Sequence, residues 1–297
     1  HFHDPELLLI APLLKRLTNK TFIYDVHELS VDFLAIKDDI PKWLRLILAK
    51  LTQGIEPYLA NKLDGLIFAD EHIEKSFTQI PLPKATLYNY PSRDFLDKAI
   101  ACTKDKKYNS QTILYLGGIK PSRGINLLIE AFAFVTKSFP NARLILVGPF
   151  TPAKYQKVIK TEIQKLKLEH SVMLTGSIPF ENVGQFLEQA CIGWIPFPDL
   201  PKYQKNIPTK LFEYMAYALP IVSSDLLSTK KFIRHGSNGC LVSPNKPEEH
   251  AKAIISLLSH PEKAAKMGLS GQELVNKYYT WNDMESTLLT FYNKIFS

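Results

Sequence analysis

PTKLFEYMAYALPIVSSD, running from Pro208 to Asp225, decides how this chain is read. Pro208 and Thr209 mark a helix start, because the first turn has no use for the N–H that proline lacks. KLFEYMAYA continues as a short helix, and IVSS after Pro220 is the kind of brief apolar run that a buried parallel strand shows. The result is a loop, a helix and a strand, with the helix's free amides turned toward whatever lies beside its start. Glu213 sits in the opening turn, where one carboxylate can accept two hydroxyls at once. The competing reading is that Glu213 merely complements the helix dipole.

A second stretch, YLGGIKPSRGI, lies between a strand and a helix further up the chain. Gly117 and Gly118 allow the backbone to come close to a ligand, and Arg123 followed by Gly124 puts a cation at the helix start, a combination suited to a diphosphate. The glycine spacing fits neither a dinucleotide fingerprint nor a P-loop. Both stretches stand at strand-to-helix junctions of one sheet, so both face its carboxyl-end crevice. Earlier in the chain, IYDVHEL puts His27 and Glu28 just past a strand, where a histidine can bond a sugar hydroxyl or carry a proton. His1 and His3 have metal-pair spacing but no third ligand apparent in the sequence, and the expectation is that no metal is bound. There is no Asp-x-Asp to hold a metal against a diphosphate and no Gly-x-Ser-x-Gly elbow of a hydrolase.

Short β-rich runs alternate with amphipathic helices almost throughout, which predicts an α/β protein of doubly wound parallel sheets. In the first part a helix over Pro5 to Leu17 leads to TFIYDV, a long helix after Pro41 to GLIFAD, and a helix over His72 to Phe77 to ATLYN. From Pro91 to Asn109 the chain turns polar and lysine-rich and reads as a linker or domain edge. TILYLGG, ARLILVG, SVMLTG, CIGWIPF, IVSS and GCLVS then supply a second, complete set of strands. The predicted domains are 1–95, 96–278 and a closing helix over 279–297; the first, with about three strands, is incomplete.

The 297 residues, 45% of them hydrophobic, bury two ordinary cores, and the net charge of +7 suits an anionic partner. Scattered lysines without zinc-finger spacing or an RNA-binding signature argue against nucleic acid. Cys102, Cys191 and Cys240 are far apart, form no metal or redox spacing and fit a reducing cytoplasm. No apolar run reaches the about 18 residues of a membrane span. The helix after Pro41, with Trp43, Leu44, Ile47, Leu48 and Leu51 beside Lys42, Arg45 and Lys50, is preferably read as core-packed; the alternative is peripheral contact with the inner face of a membrane.

LYLGGIKPSRGINLLIEAF, LILVG, LTGSIP, IGWIPF, PTKLFEYMAYALPIVSSD and NGCLVSPNKPEEHAKAI occur in the order found in retaining glycosyltransferases of family 4, and HFHDPELL, IYDVHEL and LDGLIFAD resemble that family's N-terminal domain. The resemblance covers the whole chain, with the family's first strands missing. It implies the GT-B architecture, two Rossmann-like domains facing a cleft, with the helix from Tyr279 to Phe296 crossing back to the first. It further implies a metal-independent transfer of a hexose from a UDP- or GDP-sugar to a hydroxyl of a glycan or lipid-linked acceptor, in cell-surface polysaccharide synthesis, without a cofactor. Glu213 would hold the ribose, and the amides around Thr209, Lys210 and Leu211 the diphosphate. Arg123 would offset leaving-group charge, the base would lie near Ser177 and Ile178 and along Ile195 and Pro196, and His27 would contact the transferred sugar. Two departures stand out: Gly118 where many members have arginine, and Lys205 where they have glutamate, the lysine being a source of replacement charge. A sugar-nucleotide epimerase and a non-catalytic partner or scaffold in a glycan-assembly complex are the alternatives.

Overall fold

A computed structural model of the chain describes residues 1–31, 41–104 and 110–297. These divide into two compact units, His1–Tyr90 with Trp281–Ser297, and Pro91–Thr280.

The first unit is built on three parallel strands in sequence order, β1 (Ile23–Val26), β2 (Gly65–Phe68) and β3 (Lys84–Thr86). Strand alternation divides their side chains between two cores. Tyr24, Val26, Leu66 and Phe68 pack on one side with Leu8, Ala11, Ile73 and Phe77. Ile23, Ile67 and Ala85 pack on the other against Phe291 of the last helix, Trp281–Phe296. Gly65 makes that approach feasible, since a Cβ there would lie 2.7 Å from the Phe291 ring.

The second unit holds β4 (Thr112–Leu116), β5 (Arg143–Val147), β6 (Val172–Gly176), β7 (Ile192–Ile195), β8 (Ile221–Ser224) and β9 (Gly239–Val242). They form one six-stranded parallel sheet in the order β6-β5-β4-β7-β8-β9. The order runs outward from the pair β4 and β7, so the winding reverses there, and the carboxyl ends of those strands flank a crevice. Helix Ile125–Ser138 buries Ile125, Leu128, Ile129, Phe132 and Val135 at helical spacing in the core under β4 and β5. Truncating Phe132 to alanine there would cost about 3–5 kcal/mol. The α/β fold with two parallel sheets is thus the expected one.

Of the two readings of the polar stretch after Pro91, linker or domain edge, the structure shows the edge. Arg93–Thr103 is a helix whose N-cap Ser92 accepts from the Phe95 amide at 3.3 Å. Leu96, Ala99 and Thr103 are its buried positions, and Gln272 donates to Thr103 at 2.8 Å, which ties the helix to the second unit. The division between units therefore falls at Tyr90–Pro91, a few residues before the predicted boundary, and the last helix begins at Trp281 rather than Tyr279. Residues 105–109 of the same stretch lie outside the described residues. A short helix, Pro201–Lys205, was not foreseen. Of the cysteines, Cys191 is buried, Cys240 half-buried and Cys102 exposed.

Candidate functional site

At the carboxyl end of β4 the chain makes a tight turn into its helix. Gly117 has φ +110°, a left-handed conformation that glycine adopts without strain, and its amide donates to the Val147 carbonyl at 2.8 Å. A single 3-10 turn, Pro121–Arg123, follows, and Gly124 at φ +73° starts the long helix. A Cβ on Gly124 would run into the Pro196 carbonyl, so this glycine lets the turn rest on the end of β7. A Cβ on Gly117 would stand 3.1 Å from Arg123 Nη1 and 3.4 Å from Lys210 Nζ. Two cations from opposite sides of the sheet's midline thus meet over one glycine.

Lys210 arrives from the helix Lys210–Ala216, whose first turn also carries Glu213. Tyr214 fixes that helix between the diverging strands: its hydroxyl accepts from the Leu116 amide at 2.9 Å and donates to the Leu114 carbonyl at 3.1 Å, bridging the edge of β4 where its pairing with β7 has ended. Gly193 of β7 leaves room for the Tyr214 ring, which would overlap a Cβ there.

The Lys210 side chain is 5% exposed, and its Nζ has no hydrogen-bond partner among the described residues. It lies 3.7 Å from the centroid of Tyr115 and 5.0 Å from that of Phe197, so aromatic faces carry what charge it holds. Burial pushes its pKa well below the usual lysine range, the Arg123 charge pushes the same way, and Glu213 opposes both. Burial raises the Glu213 carboxyl, which the Lys210 charge partly restores. Arg123 reaches over Phe197 at 5.9 Å. Phe197 stacks on Tyr203 at 4.5 Å, and the Tyr203 hydroxyl donates to Ser122 Oγ at 3.3 Å, which braces the arginine turn against helix Pro201–Lys205. A buried amine without a hydrogen-bond partner, beside a guanidinium at a backbone-lined turn, is an arrangement that an anion such as phosphate would satisfy.

The structure therefore brings Gly117, Arg123, Lys210 and Glu213 together. Gly118 follows Gly117 and its carbonyl accepts from the Tyr115 hydroxyl at 3.0 Å. Ser177 and Ile178 follow the end of β6, on the same carboxyl rim, beside Gly176 whose carbonyl accepts from the Gly148 amide at 3.0 Å. Ile195 is the buried end of β7. Thr209 is the N-cap of the Lys210 helix, but the Leu211 amide already donates to the Pro208 carbonyl at 3.0 Å, so it is a poorer ligand donor than expected. Lys205 ends helix Pro201–Lys205 in a half-buried position. Tyr115, Phe197, Tyr203 and Tyr214 were missed; in the sequence each looks like one more apolar strand or helix position.

His27 belongs to the first unit, just past β1. Its Nε2 is 3.3 Å from Asp25 Oδ2, and that hydrogen bond is the main cause of its raised pKa. His1 and His3 approach the same carboxylate, a convergence that the sequence did not reveal.

The family model for glycosyl transferases group 1 matches residues 100–274, which hold the turn, the cation pair and Glu213. The chain belongs to the group 1 glycosyltransferases. Within that family it is 27% identical to an uncharacterized glycosyltransferase of Haemophilus influenzae over 162 residues, 54% of this chain and 43% of the relative. It is 25% identical to alpha-D-kanosaminyltransferase of Streptomyces kanamyceticus over 187 residues, 62% of this chain and 45% of that one. The chain spans about half the length of the curated glycosyltransferases it matches. Among solved structures, Anabaena HepE in complex with UDP superposes with a TM-score of 0.76 at 16% identity, covering 98% of this chain and 77% of HepE. Sucrose-phosphate synthase of Thermosynechococcus elongatus gives 0.76 at 18% identity, covering 99% and 72%. The fold of this group 1 glycosyltransferase is close to theirs.

Proposed function

We propose that this group 1 glycosyltransferase is a retaining, metal-independent hexosyltransferase of family 4, taking its sugar from a UDP- or GDP-sugar and passing it to a hydroxyl of a glycan or lipid-linked acceptor. The observation that carries the reading is the unpartnered, buried amine of Lys210 beside Arg123 at Gly117. A diphosphate is the ligand group that matches two convergent cations and a glycine turn, and it explains why no acidic pair is needed there to hold a metal. Glu213, held in the adjoining turn, takes the ribose hydroxyls. The solved relatives whose names include UDP, UDP-glucose, or UDP with glucose support this donor class.

In the transfer, charge grows on the departing diphosphate as the bond to the sugar stretches. Arg123 and Lys210 stabilise that charge without reorganising, since glycine turns and aromatic faces already hold them in place. The departing phosphate then helps take the acceptor's proton, so no protein nucleophile is required. His27, by resemblance to the family, would contact the transferred sugar.

No helix among the described residues is long and apolar enough to cross a membrane. Helix Lys42–Ala60, however, exposes Trp43, Leu46, Ile47, Leu51, Ile55 and Tyr58 along one face, contrary to the preferred expectation of a core-packed helix. With Arg45 and Lys50 alongside, this face suits peripheral contact with an anionic inner leaflet, where a lipid-linked acceptor for polysaccharide synthesis would be met. The reading is tested by calorimetry of UDP and GDP with the wild type and with Glu213→Ala. The variant should bind about 10-fold more weakly, as loss of a charged hydrogen-bond acceptor implies; equal affinity would sink the ribose assignment, and no binding of either nucleotide to the wild type would sink the donor reading.

A further inference from the structure

The opening residues form an edge of the first unit's sheet. Phe2 pairs in parallel with Tyr24, its amide donating to the Ile23 carbonyl at 3.1 Å and its carbonyl accepting from the Asp25 amide at 2.9 Å. The Phe2 and Tyr24 rings stack at 5.2 Å on one face of this pairing. Because side chains alternate in extended chain, His1, His3 and Asp25 share the opposite face.

There they converge on one oxygen. His1 Nε2 is 3.3 Å and His3 Nδ1 3.2 Å from Asp25 Oδ2, and one ligand atom from each of the three residues lies within 4.8 Å of the others. His27 Nε2 is 3.3 Å from the same oxygen, so three imidazoles approach this one carboxylate. Two ligands of a tetrahedral ion, each at about 2.0–2.1 Å from it, stand about 3.3 Å apart, which is the spacing seen. His1 Nδ1 is meanwhile 2.9 Å from the Tyr292 hydroxyl of the last helix, an outer contact of the kind that orients a metal-bound imidazole and leaves its other nitrogen for the ion.

We propose that His1, His3 and Asp25 form a binding site for a divalent transition-metal ion. Two imidazoles and one carboxylate oxygen favour zinc or cobalt over magnesium or calcium, which prefer all-oxygen shells. Three protein ligands leave at least one coordination position for water. The site uses none of the residues assigned to the donor diphosphate, but its Asp25 also bonds His27, so the test reads metal binding itself rather than turnover.

The test is titration of the chelator-treated protein with Zn²⁺ by calorimetry and with Co²⁺ by visible absorption. One ion per chain is expected, with the intense visible bands of low-coordinate cobalt and a rise in Tm at saturating zinc. His3→Ala and Asp25→Asn should each weaken binding at least about 10-fold, and Tyr292→Phe should weaken it less. Asp25→Asn preserves shape, and its melting temperature without metal reports whether the fold is kept. Failure of the wild type to bind either ion would overturn the proposal, as would zinc affinity unchanged in Asp25→Asn, which would mean that the histidines act alone.

Discussion

The turn after β4 and the edge beside β1 hold polar groups in opposite ways. In the second unit, Lys210 and Arg123 are brought together over Gly117, with the lysine buried and unpartnered. In the first, nitrogens of three histidines approach one carboxylate that is itself only partly exposed, so polar groups already meet one another. The first arrangement leaves a buried group without a partner until a ligand arrives, whereas in the second the polar groups already have one another. A region that buries an unpartnered amine calls for an anion, whereas one whose imidazoles share a carboxylate holds its side chains in fixed positions.

The largest effect that would test this contrast is a separation of turnover from binding. His27→Ala should lower sugar transfer by the complete protein by on the order of 100-fold or more, as loss of one positioned polar group does, while UDP affinity measured by calorimetry stays within about twofold of wild type. A matching loss of nucleotide affinity would erase the distinction between the regions. Next comes Lys210→Met, which should weaken UDP binding about 100-fold, the equivalent of roughly 3 kcal/mol. The same variant should melt at or above the wild-type temperature without ligand, since a buried cation is exchanged for an apolar side chain of similar length. Opposite signs for binding and stability are the mark of stored charge; a drop in both would show Lys210 to be structural.

Much of the second unit was legible because its signals are local. Glycine at the turns, proline before Lys210 and apolar runs of strand length each follow from the conformation of a few adjacent residues. The cage around Lys210 was not legible, because Tyr115, Phe197 and Lys210 meet only after the sheet has formed. Lys210 itself was read for its amide, whereas its ammonium is what the fold buries; nothing in KLFEYM says which way a lysine will point. Asp25 was hidden similarly, as its nearness to His1 and His3 depends on a parallel pairing with Phe2. The stretch after Pro91 misled for another reason: its lysines and aspartates outweighed the i, i+3, i+7 spacing of Leu96, Ala99 and Thr103, which is the helical face that packs.

A smaller effect tests the frame on which the charge is held. Tyr214→Phe removes the hydroxyl that serves both the Leu116 amide and the Leu114 carbonyl. Two buried backbone groups then lose a partner, and the expected cost is about 1–3 kcal/mol in urea unfolding, with the m-value unchanged. The histidine cluster rests instead on strand pairing and on Tyr292.

The subtlest test follows the proton on Lys210. Its folded pKa is depressed by burial, with Arg123 adding to the effect, so the unfolded chain binds more protons than the native one at any pH between the folded value and the ordinary lysine range. Stability without ligand should therefore climb as pH rises through that window, and the climb should be missing in Lys210→Met. A bound diphosphate reverses the balance by favouring the charged ammonium, so nucleotide binding should draw up to about one proton from solution. Calorimetry of UDP binding in buffers of different ionisation heat measures that uptake, with affinity expected to fall as pH rises. Zero uptake in the wild type, or equal uptake in Lys210→Met, would place the proton elsewhere and remove the reason for regarding the second unit's charge as waiting for its ligand.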